Sequence, residues 1–368
     1  MERREFLAGL AAAGATKLLR PDNALAQAQT RRYSSPVIDA HVHWYPPEFV
    51  DLFVKEGPAN GAKITGPNKN GEFTAEVPGG QYYSPEGSAF RRQMTDVNLI
   101  LKDMDDREVD LSVLEQTNPH VMWAPPEFGL KLCRVLNDAT SALTVKYPKR
   151  FLGVITLPMQ DPKLALGELE RGAKLPGMRA AGLTENVQGK NLHEKEFWPV
   201  YERCEALGLP IFLHNLDPIR ERLIEPGFTM MNVLGNPFEA TIAATVLVLG
   251  GVMDAFPKLD VYLPHAGGFF PFVAPRLDFA KARGSFKGVQ RNPSEYVRRF
   301  HYDIILHSPK LMRTLIELVG VDRVVCGTDF PQGMAIARPV EYVEAIPGVT
   351  QREREMILCE NPARLLKL

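Results

Sequence analysis

The chain has 368 residues, 45% of them hydrophobic, and a formal net charge of −1 at pH 7. That length buries a full core and suits one large domain rather than a small cross-linked one. Near-neutral charge in short mixed-sign runs gives no case for nucleic-acid binding. The four scattered cysteines, Cys133, Cys204, Cys326 and Cys359, form neither a Cys-x-x-Cys pair nor a disulfide framework.

The first thirty residues read as an address. Arg3-Arg4, Phe6-Leu7, an Ala/Gly stretch and the small residues of "ALAQAQ" resemble a twin-arginine export signal, with cleavage after Ala26 or Ala28. Residues 1–30 are expected to be removed, residues 31–368 to form the domain, and the mature protein to be periplasmic or secreted. "PVIDAHV" is the first strand. The Gly/Pro/Asn-rich region at about 46–92 lacks apolar periodicity and is expected to be an insertion, a lid or a substrate wall. Helix and strand then alternate. "VNLILKDMDDREV" is a helix and "DLSVLEQT" the second strand; "GLKLCRVLNDATSALTVKY" is a helix and "FLGVITLP" the third. "PKLALGELERGAKL" opens on proline, which suits a first turn, and leads to "MRAAGLT" as strand four. "FWPVYERCEALG" and "PIFLHN", then "FEATIAATVLVLGGVMDAF" and "LDVYLPH", continue the pattern. The apolar run from Ala240 to Val252 is too short to span a bilayer, so it reads as a buried helix and the mature chain as free of membrane spans. "FFPFVAPRLDFAKAR" is a helix despite Pro275, "FHYDIIL" is strand seven, "SPKLMRTLIELVG" a helix and "RVVCGTDF" strand eight, before two final helices. Eight strands alternating with helices, without Gly-x-Gly-x-x-Gly after the first, predict a closed (β/α)8 TIM barrel rather than an open dinucleotide fold.

The chemistry sits at the strand ends. A parallel barrel gathers those ends on one face. His41 and His43, two apart on a strand, point to the same side, and two converging imidazoles are natural ligands for zinc, manganese or iron. His214 ends strand five and Asp329 follows strand eight, which abuts strand one once the barrel closes; Asp329 completes the site, handles a proton or caps a helix. His265 precedes Gly267-Gly268 and is either a fourth imidazole ligand or a general base. His120 and His307 are expected near the mouth and His193 on an exposed loop, with His301 a weak candidate. Strand four carries no lysine to bridge a metal pair, so one divalent ion is expected, zinc ahead of manganese.

These residues resemble the amidohydrolase superfamily: His-x-His on strand one, His on strands five and six, Asp on strand eight. Within it the chain is most similar to the aminocarboxymuconate-semialdehyde decarboxylase group, from about Val37 to the C-terminus. "GGVMDAFPKLDVYLPHAGGFFPFVAPRLD", "LVGVDRVVCGTDFPQG" and "RFLGVITLPMQDP" carry the likeness. The resemblance implies a TIM barrel of the metal-dependent hydrolase type. It implies that His41, His43, His214 and Asp329 hold one divalent metal and that His265 is an acid/base residue rather than a ligand. It also implies a homodimer in which Arg276 reaches the neighbouring subunit's site and holds a substrate carboxylate. Two departures stand out. The group has a further carboxylate-binding arginine in the insertion, where "GEFTAEV" offers none and only Arg91 or Arg92 could substitute. Strand five continues Asn215-Leu216-Asp217 where the group has Pro-Trp. The expected reaction is decarboxylation of a small carboxylated aromatic or unsaturated compound. The alternative is hydrolysis of a lactone, ester or amide on the same site.

Overall fold

The first strand, β1 (Ile38–His43), is buried along its whole length, and its six residues carry both apolar anchors and the His pair. In the computed structural model, which describes residues 32–78, 89–214, 230–286 and 288–368, it is one edge of a seven-stranded parallel sheet. The others follow in chain order: β2 (Leu111–Glu115), β3 (Phe151–Thr156), β4 (Met178–Thr184), β5 (Ile211–His214), β6 (Val261–Leu263) and β7 (Phe300–Tyr302). Parallel neighbours need long return connections, and helices supply them. These are α1 (Pro47–Glu56), α2 (Val97–Asp106), α3 (Pro126–Lys146), α4 (Pro162–Gly172), α5 (Trp198–Leu207), α6 (Asn236–Leu249), α7 (Phe270–Ala282) and α8 (Pro309–Val319).

Local chemistry explains the boundaries. Asp161 accepts from the amides of Lys163 and Leu164 and Pro162 opens α4; Asp96 caps α2 and Ser308 caps α8 in the same way. Gly208 ends α5 in the left-handed region at φ 66°. Helix α7 continues through Pro275, losing one backbone bond. The region at 46–92 holds more order than its composition suggests. Helix α1 buries Phe49, Val50 and Phe53, and a hairpin pairs Lys63–Thr65 with Thr74–Glu76. Residues 79–88 of that region, the expected export signal at residues 1–30 and Asn215-Leu216-Asp217 lie outside the described residues. The apolar helical stretch is longer than its pattern suggested, running from Met231 to Leu249. By length and composition it could cross a membrane, while Ala240, Ala243, Ala244, Leu247 and Val248 are buried within the protein.

"RVVCGTDF" forms no regular strand. Val324 bridges Tyr302 and Phe330 bridges Val42, both in parallel sense. The Ala40 amide donates to Cys326 at 2.8 Å and the Asp329 amide to His41 at 3.0 Å. The segment therefore meets both edges of the sheet, but Asp329 at φ 65° breaks the extended geometry that a ladder needs. Beneath the strand ends, Ile38, Ala40, Val113, Leu152, Val154, Ala180, Phe212, Tyr262 and Val325 pack with Leu365 and Leu366 from the C-terminus. Each such large side chain contributes roughly 1.5–3 kcal/mol when fully buried, and Phe212 stacks on Tyr262 at 4.6 Å.

Candidate functional site

At the C-terminal end of β1, His41 and His43 turn to one side, as a two-residue period requires. There they meet His214 from β5 and Asp329. One donor atom from each of the four lies within 4.8 Å of all the others, and all four residues are buried. The rings of His41 and His214 are 5.1 Å apart, those of His43 and His214 4.5 Å. Asp329 Oδ1 accepts from His43 Nε2 at 2.8 Å and stands 3.6 Å from His41 Nε2. The Asp329 side chain thus faces the imidazoles and does not cap a helix.

The donor set fits a divalent ion. His41 Nε2, His43 Nδ1 and both ring nitrogens of His214 are buried with no hydrogen-bond partner among the described residues. Leaving such atoms unsatisfied costs about 1–3 kcal/mol each. A cation held by three imidazoles and one carboxylate takes one nitrogen from each ring, which relieves that cost for His41 Nε2 and one nitrogen of His214.

Asp303, in the "FHYDIIL" segment, was not singled out by the sequence pattern. Its buried carboxylate accepts from the amides of His265, Ala266 and Ile305 at 2.8, 2.7 and 3.0 Å, from Tyr262 Oη at 3.2 Å, and faces His41 Nδ1 at 3.3 Å. A carboxylate on one imidazole nitrogen orients the ring and aims the other nitrogen into the site. The same carboxylate holds His265 and Ala266 at φ 53° and 55°. Left-handed non-glycine residues cost of order 1–3 kcal/mol each and persist where the surroundings over-determine them. The following glycines are sterically required: a Cβ on Gly268 would collide with the Pro237 carbonyl, and one on Gly267 with the Tyr302 ring.

His265 stands slightly apart from the cluster. Its ring is 6.1 Å from that of His41 and 6.4 Å from that of His214, and its Nε2 is 4.0 Å from Asp329 Oδ2. Burial lowers its pKa, against the pull of the Asp329 and Asp303 charges. Burial also depresses His43, and it takes His214 well down, with the neighbouring imidazoles adding to the effect. His41 differs: burial works against its charge, but the Asp303 hydrogen bond and the Glu115 and Asp329 charges outweigh it and hold it at about 9. Burial pushes Glu115 up to about 8.

A cleft of about 630 Å³ opens onto this cluster, lined by His214, His265, Asp329, His307, Asn236 and Gln332 among others. An inner recess of about 290 Å³ shares His214 and is lined by Glu115, His120, Thr156 and Thr184. His307 therefore lines the mouth and His120 the recess, its ring 5.6 Å from that of His214. His193 is half-buried rather than exposed, and His301 pairs with Asp260 at 3.2 Å. Arg276 is exposed on α7 and does not line the cleft. Of the two neighbouring arginines, Arg92 is exposed and bonds Asp96. Arg91 is half-buried and donates at 2.8 Å to Gln332, a residue of the cleft. Sequence spacing could not separate the two, because their difference lies in which of them the folded chain brings to Gln332.

The sequence and its architecture have counterparts. The amidohydrolase family model matches residues 38–368. A 2-amino-3-carboxymuconate-6-semialdehyde decarboxylase from Dictyostelium discoideum is 31% identical over 279 residues, 74% of this chain and 77% of that protein. A gamma-resorcylate decarboxylase from Polaromonas sp. is 30% identical over 72% of this chain and 85% of its own. Among solved structures, 5-carboxyvanillate decarboxylase from Novosphingobium aromaticivorans, in complex with manganese and 4-hydroxy-3-methoxy-5-nitrobenzoic acid, superposes with a TM-score of 0.74. It shares 20% identity and covers 91% of this chain and 97% of that one. The resemblance read from the His-x-His, His, His, Asp order is borne out, and the chain belongs to the amidohydrolase family.

Proposed function

We propose that this enzyme is a metal-dependent decarboxylase of a small carboxylated aromatic or unsaturated compound. One observation carries the reading: His265, an imidazole outside the four-donor cluster, lines the cleft beside Asp329. A ligand set with a separate acid/base group next to it suits proton delivery to a carbon. The relatives, decarboxylases of carboxymuconate semialdehyde and resorcylate, narrow the chemistry to carbon dioxide release. The (β/α)8 reading is supported by residues 324–330, which bond to both sheet edges and serve as the eighth stave.

His41, His43, His214 and Asp329 would hold one divalent ion. Bound there, it supplies Lewis acidity that anchors and polarises an oxygen of the substrate. The imidazole-rich set suits zinc, and the manganese of the structural neighbour marks the second choice. Arg91, bonded to the cleft residue Gln332, is the candidate to receive the substrate carboxylate. As the bond to that carboxylate breaks, its electron pair stays on the ring carbon and CO₂ departs. His265 then gives that carbon a proton and regains one from solvent. Burial lowers its pKa, so its protonated form is the stronger acid toward that carbon. Arg276 would act from a second chain: it shares the exposed side of α7 with Phe272 and Phe279, apolar surface that suits a homodimer. The Arg3-Arg4 leader supports export of the folded enzyme to the periplasm.

The test is a panel of aromatic acids and lactones offered to the metal-reconstituted protein, scoring CO₂ against ring-opened acid. Carbon dioxide from at least one carboxylated substrate is expected. Acid without carbon dioxide would mean that the same site hydrolyses.

A further inference from the structure

Glu115 is a carboxylate the reaction above leaves unused. It ends β2, and in the ladder it is the register partner of His43. It is 4% exposed, and its Oε1 has no hydrogen-bond partner among the described residues. Oε1 faces His41 Nε2 at 3.6 Å, the same distance at which Asp329 Oδ1 faces that nitrogen from another side. His41 Nε2 is itself without a partner. Glu115 also lines the inner recess together with His214.

A buried carboxyl keeps its charge only when paired, hydrogen-bonded or bound to a metal, and otherwise takes up a proton. No arginine or lysine forms an ion pair with Glu115 among the described residues; its ionic neighbour is His41. The backbone explains why the side chain is held there: the Trp44 amide donates to the Glu115 carbonyl at 3.1 Å, locking the end of β2 to β1. A separation of 3.6 Å between donor atoms is what two ligands of one ion show when each sits about 2.0–2.2 Å from it.

We propose that Glu115, which stands outside the four-donor group in this structure and faces it through His41, joins the metal centre as a second carboxylate beside Asp329 when the ion binds. The proposal rests on the four-donor metal reading. It adds that the site carries two negative charges, and hence a harder and tighter grip on its ion than three imidazoles and one carboxylate provide.

The experiment uses the full folded domain and Mn²⁺ alone as the probe, with Mn²⁺ bound per chain, its dissociation constant and its electron paramagnetic resonance spectrum as readouts. Wild-type protein binding one Mn²⁺, lost in His41→Ala, establishes the cluster; no binding in wild type overturns the cluster reading itself. Given binding, Glu115→Gln is expected to weaken Mn²⁺ at least roughly 10–100-fold, the range seen when even supporting groups of a site are lost, and to change the spectrum. Metal-free Glu115→Gln should melt close to metal-free wild type, because the amide has the shape of the buried carboxyl it replaces; its metal-induced rise in melting temperature should shrink. An affinity within twofold of wild type with an unchanged spectrum overturns the proposal. Should Glu115→Gln fail to fold, Glu115→Asp serves instead: one methylene shorter, it withdraws the oxygen, and an unchanged affinity and spectrum overturn the proposal there too.

Discussion

His265 and His41 are ring neighbours, 6.1 Å apart, with different surroundings. His41 lies inside the four-donor sphere and His265 outside it. Replacing each by alanine therefore separates their roles. His265→Ala is expected to keep its metal while turnover falls roughly 10²–10⁴-fold, the usual loss for a general acid or base. His41→Ala is expected to lose metal and activity together. Metal content and rate must be read on the same preparations; a metal-free His265→Ala would make His265 a ligand. Arg91 gives a second prediction at this scale. A guanidinium braced by Gln332 presents a planar fork that lysine cannot reproduce. Arg91→Lys should raise KM for the carboxylated substrate about 10-fold or more, one hydrogen-bonded charge being worth about 1.5–3 kcal/mol, with metal content unchanged. An unaltered KM would remove Arg91 from substrate binding.

At the scale of elements, the seam between β1 and residues 324–330 matters most, because it brings Asp329 to the histidines. A buried polar network holds it. Arg107, just after α2, donates to Asp39 Oδ2 and to Thr328 Oγ1, each at 2.7 Å, while the Thr328 hydroxyl donates to Asp39 at 2.6 Å and its amide at 3.0 Å. The guanidinium also lies 4.2 Å over the Phe330 ring. Removing one partner of a buried pair strands the other charge, which typically costs 3–5 kcal/mol. Arg107→Met should therefore lose about that much stability in denaturant melts. Since Thr328 adjoins Asp329, it should weaken metal binding as well. A loss under about 1 kcal/mol, the scale of an exposed pair, would show that the network is incidental.

For the whole molecule, two proposals concern what lies beyond one folded chain. If Arg276 acts in a partner's site, the protein should run as a dimer in light scattering. A charge at Phe272 or Phe279, both exposed on α7, should then yield monomers with little activity and intact metal. Active monomers would end the shared-site idea. If Arg3-Arg4 is an export signal, changing both to lysine should hold the precursor in the cytoplasm. An unchanged periplasmic yield would refute it.

Much of this protein follows from local pattern alone. The period of two puts His41 and His43 on one side, β-branched runs mark the strands, and proline, aspartate and glycine punctuate α4 and α5; these are short-range effects that a linear chain displays. The same holds for the family resemblance carried by the order His-x-His, His, His, Asp, and the family match bears out that resemblance. Other features are decided only in three dimensions. Asp303 looks like an ordinary residue after a strand, and becomes a hub because β6, β7 and β1 bring five donors around one carboxylate. Glu115 reads as the end of a strand until the β1–β2 register sets it against His43 and its side chain beside His41. Arg91 and Arg92 are equivalent in sequence and are separated only when Gln332, 241 residues away, bonds one of them. Long-range contacts of this kind depend on which strands become neighbours, a property of the folded chain that no local window contains.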